Sequence, residues 1–101
     1  MNRGDIRKAY EDGLEVVVFQ STKRNLKGEY LPHMIMARVY RDAHSNEEDY
    51  YNTVVHEVAH HVHPNASHRK IIKLSKTIVR HNPELLEYIL TIFKVPTWQN
   101  D

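Results

Sequence analysis

Apolar and polar positions along the chain alternate between helical and strand periods. Ile6, Ala9 and Tyr10 form the buried side of a short helix predicted over 3–12, with Gly13 as its C′ stop. Leu14 to Phe19 is short and β-branched, which predicts a well-buried strand. The polar, basic stretch from Ser21 to Gly28 reads as a turn, and Glu29-Tyr30-Leu31 as a short strand broken by Pro32. Over 33–40 the alternation is clear: Met34, Met36 and Arg38 fall on one side, Ile35, Ala37 and Val39 on the other. If this strand lies along a cleft, its backbone groups are placed to pair with an extended peptide.

The second half is helical. Tyr51, Val55, Val58 and Val62 recur at i, i+4, i+7 and i+11, an apolar stripe on one helix. Ser45-Asn46-Glu47-Glu48 reads as its capping box, with Ser45 as N-cap and Glu48 at N3. Pro64 ends it, because the residue before proline is driven out of the α region. A third helix is predicted from about Ser67 to His81, with Ile71, Leu74 and Ile78 as core, joined by Ile72 and Val79. Asn82 as N-cap and Pro83 at N1 start a fourth, whose apolar face is Leu85, Leu86, Ile89, Leu90 and Phe93. Val95 to Trp98 begins a tail, with Trp98 packed on the body. The expected class is α+β: an N-terminal helix, a small sheet of two or three strands, the motif helix and two C-terminal helices.

Composition narrows the chemistry. One hundred and one residues make one domain with a single modest core. With no cysteine, disulfides and thiolate–metal sites are excluded, so His, Asp and Glu are the strong ligands available and a cytoplasmic location is expected. No segment resembles a signal peptide or a membrane span. Net charge is +1, but its distribution is uneven. Residues 42–57 hold five acids (Asp42, Glu47, Glu48, Asp49, Glu57) and no lysine or arginine. Arg69, Lys73, Lys76 and Arg80 instead share one face of the third helix. Such a basic stripe is able to follow a phosphate backbone, although a solvated helix face is the commoner explanation.

The chemistry centres on His56-Glu57-Val58-Ala59-His60, which fits H-E-x-x-H. Helical spacing brings both imidazoles to one face, within reach of one metal ion, and leaves the Glu57 carboxylate to address water on that metal. The competing explanation is a helix that merely happens to be rich in histidine. A catalytic zinc (Zn2+) site requires a third protein ligand. His61 and His63 diverge from His60 by about 100° and about 60° on a regular helix, so neither completes the set. His68 opens the next helix after a proline-containing turn, where the chain doubles back, and is the favoured ligand. Glu84 or Glu87 would instead give a His2Glu site.

The stretch from Tyr50 to Leu74 resembles the SprT-like and related small zincin (HExxH) metallopeptidases. There the motif helix is followed by a short turn and a histidine opening the next helix, then a large apolar residue four positions on, here Ile72. Gly28-Glu29-Tyr30 and Met34 to Val39 are similar to the glycine-tyrosine turn and strand that precede the motif helix in that group. The resemblance spans about 28–80. It implies a minimal zincin-like fold, a zinc cofactor held by His56, His60 and His68, and a peptide or protein substrate. In several relatives a shorter turn would put the third histidine at 66, which is Ala66 here, so a longer turn is expected.

The expected function is therefore a zinc-dependent metallopeptidase with Glu57 as general base. Tyr30, His33 and Tyr88 are the candidates for electrophilic assistance. Two other functions compete with it. One is a zinc-dependent nuclease with a three-His site, in which the basic stripe would hold nucleic acid. The other is a non-catalytic zinc-stabilised binding module, closed by His63 or His81 as fourth ligand. Nothing in the sequence specifies the oligomeric state.

Overall fold

The computed structural model describes residues 1–21 and 25–98. In chain order the elements are α1 (Arg3–Glu11), β1 (Glu15–Phe19), β2 (Gly28–Leu31), β3 (Met36–Tyr40), a 3-10 turn at Arg41–Ala43, α2 (Glu47–Val62), α3 (His68–His81) and α4 (Pro83–Ile92). The class is α+β: an N-terminal helix, a three-stranded mixed sheet and three helices.

The strand order is β1-β3-β2, with β1 parallel and β2 antiparallel to β3. Ala37 and Val39 on β3 are fully buried, as the alternation requires. β3 is thus the central strand rather than a cleft edge, and the edge position lying against α2 falls to β2. β3 begins at Met36 because Ile35 takes a left-handed conformation (φ 49°) closing the turn after β2. β1 is the other edge. Its residues are exposed or half-buried, so the expectation of a well-buried strand is corrected: one neighbour and one packed face leave it partly open.

α2 is the spine. Its Tyr50, Val54, Val55, Val58 and Ala59 are buried against the sheet, α1 and α3, and Val62 is half-buried. Each fully buried valine contributes about 1.5–3 kcal/mol by leaving water. The helix is capped by Asn46, not Ser45. The Asn46 side chain accepts from the Asp49 N–H at 2.9 Å, and Glu48 turns outward to pair with Arg80 at 2.6 Å. Asparagine caps as well as serine does, so the pattern placed the helix start one residue early.

α1 carries a capping box of its own, with Asn2 accepting from the Asp5 N–H and the Asp5 carboxylate receiving the Asn2 N–H. Gly13 lies at φ 93°, as a C′ stop requires. Ile6 and Ala9 are buried, whereas Tyr10 is half exposed and only its ring edge meets Phe93. α3 starts from Ser67 as N-cap, and Asn82 with Pro83 starts α4, as predicted. Ile71 and Ile78 enter the core. Ile72 does not; one helical step from Ile71, it is exposed and lines a cleft. The tail packs on the first half of α2: the Tyr50 hydroxyl donates to the Pro96 carbonyl at 2.7 Å, and Trp98 lies against Tyr50 and Arg41. No helix among the described residues is long and apolar enough to cross a membrane.

Candidate metal centre

His56 and His60 lie one turn apart on the half-exposed flank of α2, with their Nε2 atoms 3.1 Å apart. The turn 63–67 reverses the chain, and the Ser67 side chain caps α3 by accepting from the Lys70 N–H at 3.2 Å. That cap places His68 as the first residue of α3. Its ring centroid stands 4.8 Å from that of His56 and 5.7 Å from that of His60. One ligand nitrogen from each of the three histidines lies within 4.8 Å of the other two, a group that could hold a metal ion.

The donor set fits a metal of the zinc type. Tetrahedral Zn–N bonds of about 2.0–2.1 Å place ligand nitrogens about 3.3–3.4 Å apart. The His56–His60 pair is already close to that spacing. His68, exposed at a helix start, is the member with room to close in. Protons compete little for the His56 and His60 rings. Burial, with His60 and His68 close by, pushes the His56 imidazole down to about 4, and burial also lowers His60. Both are therefore neutral, the ligand form, at ordinary pH.

Glu57 lies against β2 and is only 7 % exposed. Its Oε2 lies so close to Gly28 that a Cβ there would stand 3.1 Å from it. Burial first, then the Glu29 carboxylate, pushes the Glu57 carboxyl up to about 7. Glu57 sits where two open cavities meet. One, of about 420 Å3, is shared with His56, His68, Asn52, Ile72 and Lys76; the other, of about 350 Å3, is shared with His60, Tyr30, Pro32 and Pro64. A larger cavity of about 570 Å3, between Glu48, Tyr51 and Arg80, includes none of the three histidines.

The remaining expectations separate cleanly. Glu84 and Glu87 are exposed on α4 and do not join the metal-ligating group found among the described residues; neither do His63 and His81. His61 is engaged elsewhere, between the Tyr30 hydroxyl and the Asp12 carboxylate. Of the candidates for electrophilic help, Tyr30 lines a cavity with Glu57. His33 is exposed in the turn before β3, and the Tyr88 ring lies under Arg3. Arg69, Lys73, Lys76 and Arg80 are all exposed along α3. Arg80 is held by Glu48, and Lys76 reaches the His56–His68 cavity.

Two residues beside the centre escaped the sequence reading. Gly28 was noted for its place before Tyr30, but not as the gap that admits Glu57. Asn52 precedes His56 by one turn, and its side-chain carbonyl oxygen is buried with no hydrogen-bond partner among the described residues. Its i−4 spacing from His56 was the available signal. No family model, curated protein or solved structure matches the chain, so the donor set and its surroundings carry the functional reading by themselves.

Proposed function

We propose that this protein is a zinc-dependent metallopeptidase of the minimal zincin type, similar in plan to SprT-like enzymes. The observation that carries the reading is the convergence of His56, His60 and His68 beside a buried Glu57 held near neutrality, where two clefts meet. A non-catalytic metal module has no use for a carboxyl group tuned to about 7 next to its ligands.

The three histidines would hold zinc as neutral imidazoles. When bound, zinc acidifies water and polarises a carbonyl. Glu57 supplies the proton traffic: with its carboxyl poised near 7, it accepts a proton from the attacking water and delivers it to the leaving amine. β2, the sheet edge lying against α2, is placed to align an extended peptide across Glu57. This role passes to β2 from the 33–40 strand, which is central.

Lys76 in the cavity of His56 and His68 is the feature that favours nucleic acid as a substrate or recruiting partner. Against the nuclease reading stands Glu57, which three-His nucleases do not need.

The test is metal content and hydrolysis in parallel. Wild-type protein is expected to hold about one zinc per chain and to cleave unstructured protein. His68→Ala should lose the metal, Glu84→Ala should keep it, and Glu57→Gln should keep it while activity falls at least about a hundredfold. Cleavage of RNA but not of casein would replace this reading with the nuclease. Loss of zinc in Glu84→Ala alone would move the site to a His2Glu set.

A further inference from the structure

Glu57 lines two cavities, and the chain through β2 runs from one to the other: Lys27 and Gly28 line the first, Tyr30 and Pro32 the second. The two differ in charge. Apart from Glu57, the second is lined by Tyr30, Pro32, His60 and Pro64, with no lysine, arginine or aspartate. The first holds two lysines. Lys27 is engaged by Asp49, its Nζ lying 2.9 Å from each carboxylate oxygen. Lys76 is exposed and has no acidic partner among the described residues.

Helix geometry ties Lys76 to the metal centre. His68, Ile72 and Lys76 are spaced i, i+4 and i+8, so they form one row along α3, and all three line this cavity. Two turns separate Lys76 from His68, a rise of about 12 Å. Helical side chains lean toward the N-terminus, which directs the lysine stem back along the exposed Ile72 toward His68. At ~3.3 Å per extended residue, the ammonium is within reach of a peptide residue about one to three positions from the bond at the three histidines. A nucleic-acid strand calls for a row of free cations. Of the stripe Arg69, Lys73, Lys76 and Arg80, only Lys76 lines the cavity, and Arg80 is engaged by Glu48. One free ammonium in a cleft of about 420 Å3 matches a single carboxylate.

We propose that the cavity of His56, His68 and Lys76 is an acid-selective subsite, in which the Lys76 ammonium pairs with the carboxylate of a glutamate or aspartate side chain of the peptide. This rests on the peptidase reading above and deepens it by naming a substrate class: extended chain with an acidic residue near the cleavage point, on the side that lies at the Lys27–Gly28 end of β2. The other side, at Tyr30 and Pro32, presents no lysine or arginine among the described residues and sets no such requirement.

The test takes the zinc-loaded protein and peptides of one neutral sequence, with glutamate, alanine or lysine placed in turn at each position on either side of the cleaved bond. The wild type should favour glutamate over alanine about three- to tenfold in kcat/KM, on one side of the bond only, as one charge-assisted contact at a solvated site allows. That ratio should shrink toward one in about 0.5 M salt, because the ammonium is exposed. Lys76→Met should bring it to about one, and Lys76→Glu should invert it so that the lysine peptide is preferred. Both variants should hold as much zinc as the wild type, since Lys76 is exposed and outside the metal-ligating group. No acidic preference in the wild type, or one that persists in both variants, would overturn the proposal and leave the peptidase reading intact. Single-stranded nucleic acid bound through Lys76 with no acidic preference would also overturn it and assign Lys76 to that partner. A wild type that cleaves no peptide would overturn both.

Discussion

Glu57 and His56 are neighbours whose burial has opposite consequences. In the folded, metal-free chain Glu57 stays protonated up to about pH 7, while an unfolded glutamate ionises near 4.5. Between those values the folded state binds more protons than the unfolded one, so stability falls as pH rises. His56 runs the other way: its ring stays neutral down to about 4 when folded but protonates near 6.5 when unfolded, so stability rises with pH over that window. The two windows overlap, so the effects oppose one another in the wild type. Glu57→Gln should unmask the histidine. In urea titrations of the metal-free variant, stability should climb by about 1–3 kcal/mol more between pH 4 and 6.5 than that of the wild type. The same climb in both would mean that Glu57 is not held protonated. Gly28 tests the same neighbourhood through space rather than charge. A Cβ there would stand 2.6 Å from Thr53 Cγ2 and 2.9 Å from the Arg38 carbonyl oxygen, and the latter is backbone of β3 that cannot yield cheaply. Gly28→Ala is expected to cost about 1–3 kcal/mol and to depress activity by displacing Glu57, read by thermal melts beside hydrolysis rates.

Capping decides where the histidine-bearing helices begin, and so where their side chains point. Asn46→Ala should destabilise the protein by about 1 kcal/mol, whereas Ser45→Ala should stay within about 0.5 kcal/mol. Equal effects in chemical denaturation would restore Ser45 as the cap. Much of this layer was legible in the sequence. The stripe Tyr51, Val55, Val58, Val62, the Pro64 stop, Ser67 as a helix start and the Asn82-Pro83 junction all follow from local propensity and period. Less legible were burial and pairing. Tyr10 and Ile72 belong to apolar faces by period yet remain exposed, because a helix can offer more apolar residues than its neighbours can cover. The inner position of β3 and the outer positions of β1 and β2 were not readable. Strand alternation reports which face is buried and says nothing of which strand lies in the middle.

Two other helices and the sheet pack on α2, and the three histidines that could hold a metal bridge its junction with α3. A metal that binds only the folded chain must therefore stabilise it. Zinc at about a hundred times its dissociation constant should add about 2.7 kcal/mol, seen as a melting temperature that rises with zinc concentration and falls on chelation. His68→Ala should abolish that dependence while folding normally without metal, since His68 is exposed and outside the core. A zinc response that survives in His68→Ala would place the stabilising metal elsewhere. By itself, the sequence determined the helices, the i, i+4 histidine pair and the carboxyl group beside it, because these depend on spacing within one continuous segment. It also favoured His68, because the proline-containing turn reverses the chain. Tertiary structure alone decided that Glu57 lies under Gly28, that His61 meets both Tyr30 and Asp12, and that β2 borders the cleft. Those contacts join residues 29 to 49 positions apart, and their geometry is set by how the sheet and α1 dock on α2.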